Sequence, residues 1–236
     1  MVPAGACQVT RFARARALLV ARKQLQHKLI DIELSIRGIL RGFGLKVGHV
    51  TTKTFEERIR KLVTGHATLE LIAEAMLVAR AALLKQFNKL HKAVLDIVRN
   101  DEVCGRFMTT PGVGAIVAIT FKSALDDPGR IKKSRNAGSL FGLTPKRYQS
   151  GETDVMGGIT RAGDEMVRTV LYEAANVLLS RLTRFSALKR WGLEVAKRRG
   201  LKRAKVAVTR KLAVILHRMR IDGTTFWWTK AAAVHA

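Results

Sequence analysis

With 236 residues, 47% of them apolar, the chain is long enough to bury a core and too apolar to be a disordered polymer. Its 43 lysines and arginines against 18 acids leave a net charge of +25. That excess is more than solubility requires and points to a polyanionic partner, nucleic acid ahead of a membrane surface. Two distant cysteines, Cys7 and Cys104, exclude a disulfide scaffold and show no metal-ligand spacing.

No apolar run approaches the roughly 20 residues of a bilayer span. The best attempt, Leu69 to Leu84, is broken by Glu70, Glu74 and Arg80. The start lacks a leader's charged-then-apolar order, so the expectation is a cytoplasmic protein with no membrane partner.

Residues 1–11 show no periodicity and read as an irregular start. From Phe12 to Leu40, Leu18, Leu25, Leu29, Ile32, Ile36 and Ile39 recur at helical steps, and Gly42 and Gly44 end the run. A second helix is predicted over Phe55 to Val63, stopping near Gly65. A third is predicted over Ala67 to Val98, with Leu71, Ala75, Val78, Ala82, Phe87, Leu90, Val94 and Ile97 as its buried set. Long helices with no catalytic residue types usually build a bundle or coiled coil, so residues 12–103 read as a scaffold or dimerising arm.

Pro111-Gly112-Val113-Gly114, ahead of a helix Ala115 to Phe121, has the form of a helix-hairpin-helix turn. In such a turn Gly112 and Gly114 let backbone N–H groups approach a phosphate. The bland alternative is a glycine-rich connection without a ligand. A turn at Asp126 to Gly129 and a short helix Ile131 to Phe141 follow. Leu143 to Thr160 then reads as a hairpin-like loop with a second turn at Gly157-Gly158. Lys146, Arg147, Tyr148 and Gln149 put cations and an aromatic just before Ser150-Gly151, an arrangement suited to offering a hydroxyl to a phosphodiester, with Arg161 as a further cation. Composition alone favours an ordinary turn serine.

Asp164 is a suitable N-cap for a helix Glu165 to Leu182, on which Arg168 and Tyr172 share a face. Arg181 to Arg220 holds fourteen bases against Glu194 alone. Lys197, Arg198, Arg199, Lys202 and Arg203 form a basic turn before a last helix, Val206 to Met219. Contact with nucleic acid is expected there. Phe226, Trp227 and Trp228 either pack or stack on bases. The fold class expected is mainly α: a long helical arm, then a helical domain over 104–228 and a tail over 229–236.

Three stretches together resemble the C-terminal part of the IS110/IS116/IS902 insertion-sequence transposases, the group related to the Piv DNA invertases. They are Pro111 to Gly114, Gly142-Leu143-Thr144-Pro145 through Ser150 and Gly151, and Gly158-Ile159 through Gly163 to Arg168. The helical pattern from Leu18 to Gly44 also resembles the family's segment between its domains. The resemblance implies a DNA recombinase guided by a bridging RNA, and a serine that links covalently to DNA; by motif position this is Ser150. The long helical arm itself suggests a homo-oligomer, the alternative being an arm that folds back within one chain. The resemblance also implies a ribonuclease-H-like half with four acids that bind Mg2+. Only Asp31 and Glu33 precede residue 50 here, and both fall within the first helix. The expectation is therefore a truncated copy, inactive alone, with no cofactor in this chain and Mg2+ belonging to the missing domain. The alternative is a non-catalytic helix-hairpin-helix protein that binds DNA or RNA.

Overall fold

The computed structural model of the chain describes residues 4–125, 127–150 and 153–228, with side chains from residue 12 onward except those of 153 and 156. Among them are nine α-helices and one two-stranded antiparallel sheet, so the fold is mainly α. None of the described helices is long and apolar enough to cross a membrane. The chain divides into two compact units, residues 17–94 and residues 1–16 with 95–236.

The first unit is built from α1 (Ala4–Gly42) from residue 17 onward, α2 (Phe55–Val63), and α3 (Ala67–Arg99) as far as residue 94. α1 begins at Ala4, ahead of the predicted start at Phe12. Arg22 meets His91, and eleven residues further on Glu33 meets Arg80, eleven residues back along α3. The two helices are therefore antiparallel. Ile36 and Leu40 of α1, Phe55, Ile59 and Val63 of α2, and Leu69, Ala73 and Leu77 of α3 form one apolar cluster.

The buried face of α3 is not the predicted one. Leu71 and Val78 are 74% and 61% exposed, Ala75 and Ala82 are exposed too, and only Val94 of the predicted set is fully buried. The face that packs is Leu69, Ala73, Leu77 and Arg80. Between Leu69 and Leu84 α3 carries apolar residues on more than one face, so two phases fit a helical period, and Arg80 disguised the one that is used. Arg80 is 1% exposed. Its guanidinium donates to Glu33 and Glu56 carboxylates, each at 2.8 Å, and to the Thr52 carbonyl at 3.1 Å, and it lies 4.8 Å from the Phe55 ring centre. A fully desolvated cation is tolerable only with partners of this kind.

The second unit contains α4 (Glu102–Met108), α5 (Ala115–Ala124), α6 (Ala137–Leu140), the strands β1 (Pro145–Ser150) and β2 (Thr153–Ile159), α7 (Glu165–Ser180), α8 (Ala187–Arg199) and α9 (Leu201–Asp222). Its core joins Phe107, Phe121 and Phe141, whose neighbouring ring centres lie 5.6 and 5.5 Å apart, with the inward stripes of α7 and α9. Asp101 caps α4 by accepting from the Cys104 N–H at 2.9 Å and pairs with Lys122. Burial pushes the Cys104 thiol up to about 12, so it is an inert core group.

Several predicted boundaries shift. Ile131 to Phe141 is a 3-10 turn over Ser134–Asn136 and then α6. Gly157 and Gly158 lie inside β2 and make no turn. The basic turn shrinks to Gly200, with Lys197 to Arg199 ending α8 and Lys202 and Arg203 opening α9. Asp126 and Gly151 lie outside the described residues.

Candidate nucleic-acid interface

Pro145 and Ile159 open the hairpin, and Ser150 pairs with Thr153 at its far end. Every residue of β1 is exposed. Side chains alternate along a strand, so Lys146, Tyr148 and Ser150 share one face while Arg147 and Gln149 take the other. Two observations agree with this. Tyr148 and Lys146 both lie over Gly157, where an added Cβ would sit 3.0 Å from the Tyr148 ring and 3.6 Å from the Lys146 Cβ. On the opposite face Arg147 donates two bonds to Asp154, at 2.9 and 2.8 Å, and that partner raises its already high pKa. The hairpin thus groups Ser150 with Lys146 and Tyr148, and separates it from Arg147.

The base of the hairpin is clamped. Thr160 N–H donates to Thr144 O at 2.9 Å and Arg161 N–H to Gly142 O at 3.1 Å. Gly142 and Gly163 have φ of +63° and +76°. A Cβ at Gly142 would meet the Ala162 carbonyl oxygen at 2.2 Å, and one at Gly163 the Leu140 oxygen at 2.1 Å. Only glycine allows two backbones to cross so closely in this conformation. Arg168 closes the clamp by donating to the carbonyls of Ala162 at 2.9 Å and Gly163 at 3.0 Å, so its predicted role in nucleic-acid contact shares the side chain with a structural one.

The turn between α4 and α5 places Gly112, φ +84°, against α7: a Cβ there would lie 2.4 Å from the Ala174 carbonyl oxygen. Close helix packing accounts for this glycine without any ligand. Gly114 is exposed at the N-cap of α5 and has open space around it.

Lys197, Arg198, Arg199, Lys202 and Arg203 are all exposed on either side of Gly200, whose φ is +81°. Glu194 is the one acid from Arg181 to Arg220, so this helix pair carries a dense positive charge. Among the aromatics, Lys211 lies 4.2 Å over Trp191 and burial lowers its pKa. Trp228 packs under Arg184 at 3.9 Å and edge-on to Phe226, while Trp227 is 60% exposed.

One polar pair escaped sequence reasoning. His217, 1% exposed on α9, has Nε2 3.0 Å from the Pro128 carbonyl and Nδ1 3.0 Å from the Ser134 hydroxyl. A carbonyl only accepts, so Nε2 carries the proton and, in the neutral ring, Nδ1 accepts from Ser134. The partners are 83 residues apart, and the only local hint was a histidine in the apolar phase of α9.

Comparison with known proteins adds identity to this geometry. The family described as Transposase IS116/IS110/IS902 matches residues 104–191, a range that contains the α4–α5 turn, the hairpin and the clamp. The transposase for insertion sequence element IS1111A of Coxiella burnetii is 28% identical over 209 residues, 85% of this chain and 57% of that protein. A putative transposase of Sinorhizobium fredii, y4pF/y4sB, is 28% identical over 210 residues, covering 86% and 54%. The transposase for insertion sequence element IS1328 of Yersinia enterocolitica is 30% identical over 145 residues, covering 61% and 43%. The chain spans about half the length of the curated relatives it matches. Residues 104–191 thus match the IS116/IS110/IS902 transposase domain, and the chain is similar to curated insertion-sequence transposases over most of its length.

Proposed function

We propose that this chain supplies the DNA-binding, serine-bearing part of an insertion-sequence transposase. The observation that carries the proposal is the exposed Ser150 at the end of a rigidly rooted hairpin, on one face with Lys146 and Tyr148. Its hydroxyl oxygen attacks the phosphorus of a DNA strand. An Oγ–P bond forms as one phosphodiester P–O bond breaks; the serine proton leaves to solvent or a nearby base, and the departing sugar oxygen takes up a proton. Lys146 offsets the charge on the pentavalent phosphorus, and Tyr148 offers a face to an adjoining base.

The α8–α9 pair holds the DNA, and a bridging RNA, by neutralising phosphates, a term that reads no sequence. The arm joins two copies through the uncovered α3 face around Leu71 and Val78; sedimentation of Leu71→Glu/Val78→Glu as a monomer would support this, and an unchanged mass would not. Mg2+ enters only through the family resemblance. Among the described residues no three His, Cys, Asp or Glu side chains gather as a metal would need. Of the described acids near the hairpin, Asp154 bonds Arg147 and Asp164 accepts from the Val167 N–H. No step here runs through the metal.

The test is a covalent adduct trapped on labelled element-end DNA by a full-length relative that carries this serine-bearing domain. The adduct should disappear in Ser150→Ala while binding stays unchanged. An adduct lost in Ser134→Ala and kept in Ser150→Ala would move the chemistry to the serine that already holds a histidine. This chain alone is expected to bind without forming an adduct; binding without any adduct from an unaltered full-length relative would leave only the non-catalytic reading. Charge removal at Lys197, Arg198 and Arg199 should weaken binding across sequences and lower the salt slope by about one for each phosphate no longer neutralised.

A further inference from the structure

Beside the clamp, between the foot of the hairpin and helices α7 and α9, lies a cleft of about 540 Å3, within the range of small-molecule sites. Leu143, Ile159 and Val206 give it an apolar floor, and the exposed side chains of Arg161, Glu165 and Tyr172 form its rim. Arg161 has φ of +58°, the single positive-φ residue other than glycine among the described residues. Such a conformation persists only where neighbours over-determine it, and it collects at binding sites. Here the crossing at Gly142 and the Arg168 bonds on either side of Gly163 enforce it, so a cation is presented at the mouth of the cleft. The polar groups lining it are the donors Arg161 and Arg168, the Glu165 carboxylate and the hydroxyls of Thr169, Tyr172 and Thr209. The Thr169 and Thr209 hydroxyls spend their protons on the Glu165 and Lys205 carbonyls, leaving oxygen lone pairs, and Glu165 adds a carboxylate.

We propose that this cleft takes one unstacked nucleotide, its base on the apolar floor beside Tyr172 and its phosphate on Arg161. The proposal rests on the nucleic-acid reading above, and the same chemistry has two sources, a nucleotide turned out of a bound strand or a free mononucleotide.

The intact chain is titrated with a single-stranded oligonucleotide bearing one central 2-aminopurine, followed by emission and by anisotropy, and separately with AMP by calorimetry. Emission should change on binding. Tyr172→Ala and the cleft-filling Val206→Trp, each checked for folding by circular dichroism, should abolish that change while affinity falls by no more than about tenfold, the scale of a single base stacked on an aromatic ring. Competition by AMP identifies the free nucleotide as the source, and an emission change that AMP leaves untouched identifies a nucleotide within the strand. Tight binding with no emission change, or a change that both variants keep, overturns the cleft and leaves the α8–α9 interface standing. If the oligonucleotide does not bind, the nucleic-acid reading falls and calorimetry decides. A heat of AMP binding that vanishes in Tyr172→Ala upholds the cleft, and no heat overturns it.

Discussion

The two units use glycine in opposite ways. In the arm, a Cβ built on Gly38, Gly42, Gly44, Gly48 or Gly65 would meet nothing within 4 Å. These glycines punctuate the chain or sit idle in a helix. In the other unit, Gly112, Gly142 and Gly163 lie where a Cβ would strike a backbone oxygen between 2.1 and 2.4 Å away, and Gly192 of α8 is wedged between Leu179 and Val208. There glycine brings backbones together, and the hairpin owes its fixed root to that close approach. The units also treat charge differently: the arm buries an arginine and surrounds it with acids, while α8 and α9 turn bases outward with hardly any acid near.

The sharpest way to break the comparison is Gly142→Ala. It combines a left-handed backbone with a clash against main-chain atoms that cannot step aside, so a loss of about 4 kcal/mol or more is expected. Trp191, Trp227 and Trp228 all belong to this unit and the arm has no tryptophan, so tryptophan emission in urea reports this unit alone. Gly44→Ala, also at positive φ but in open space, should cost only the backbone strain, about 1 kcal/mol. Equal losses at the two sites would dissolve the distinction.

Next comes Arg80→Ala, expected to cost the arm about 3 kcal/mol, at the low end for a broken buried pair because Glu33 and Glu56 keep about a third of their exposure. Arg80→Met, which keeps most of the volume, should cost less. Far-ultraviolet circular dichroism should register the loss with tryptophan emission unmoved. If Arg80→Ala is neutral, the buried arginine is incidental and the arm rests on its aliphatic cluster alone.

What was legible in the sequence follows the same division. Helices α1, α2 and α3 were readable because period and glycine punctuation are local signals. The phase of α3 was not, since a stripe containing Arg80 looks less apolar than the rival through Leu71 and Val78 until Glu33 and Glu56 are brought to it. The Gly157-Gly158 pair passed for a turn because it falls at an irregularity in the pairing, between Pro145↔Ile159 and Arg147↔Met156, and because the Tyr148 ring that Gly157 accommodates comes from the neighbouring strand. Ser150 was proposed from its motif, and the structure adds which cation shares its face. The His217–Ser134 pair and the cleft beside Arg161 arise where distant segments meet, which no window of sequence contains.

A smaller gain is expected from Gly38→Ala. The residue is exposed inside α1 with no neighbour to strike, so alanine should stabilise the arm by roughly 0.5–1 kcal/mol through helix propensity and a less flexible unfolded chain. Gly192→Ala is also within a helix, yet it should destabilise by about 1–3 kcal/mol because its Cβ would lie 2.7 Å from Leu179 and 2.8 Å from Val208. Two alanines of opposite sign would express the contrast in one pair of measurements.

The smallest expected effect separates the units by acidity. Burial and the neighbouring Arg22 guanidinium, which donates to Nδ1 at 3.0 Å, hold His91 below its ordinary value of 6.5. Below that pH the unfolded chain takes up a proton that the folded arm refuses, so stability is level above pH 6.5 and declines as pH falls toward the lowered value. In the other unit, burial works against ionising Asp101, but Lys122 and the Cys104 N–H outweigh it and hold the carboxyl below 3.8. Its contribution is present above pH 3.8 and is lost as pH falls through the lowered value, where the folded carboxylate finally takes its proton. Urea titrations across acid pH should therefore show the dichroism signal weakening first, as pH falls below 6.5, and tryptophan emission only as it falls below 3.8. His91→Gln should flatten the first decline and leave the second. Coincident declines, or a first decline that survives the substitution, would mean that the arm's acid sensitivity lies elsewhere than in the Arg22–His91 bond.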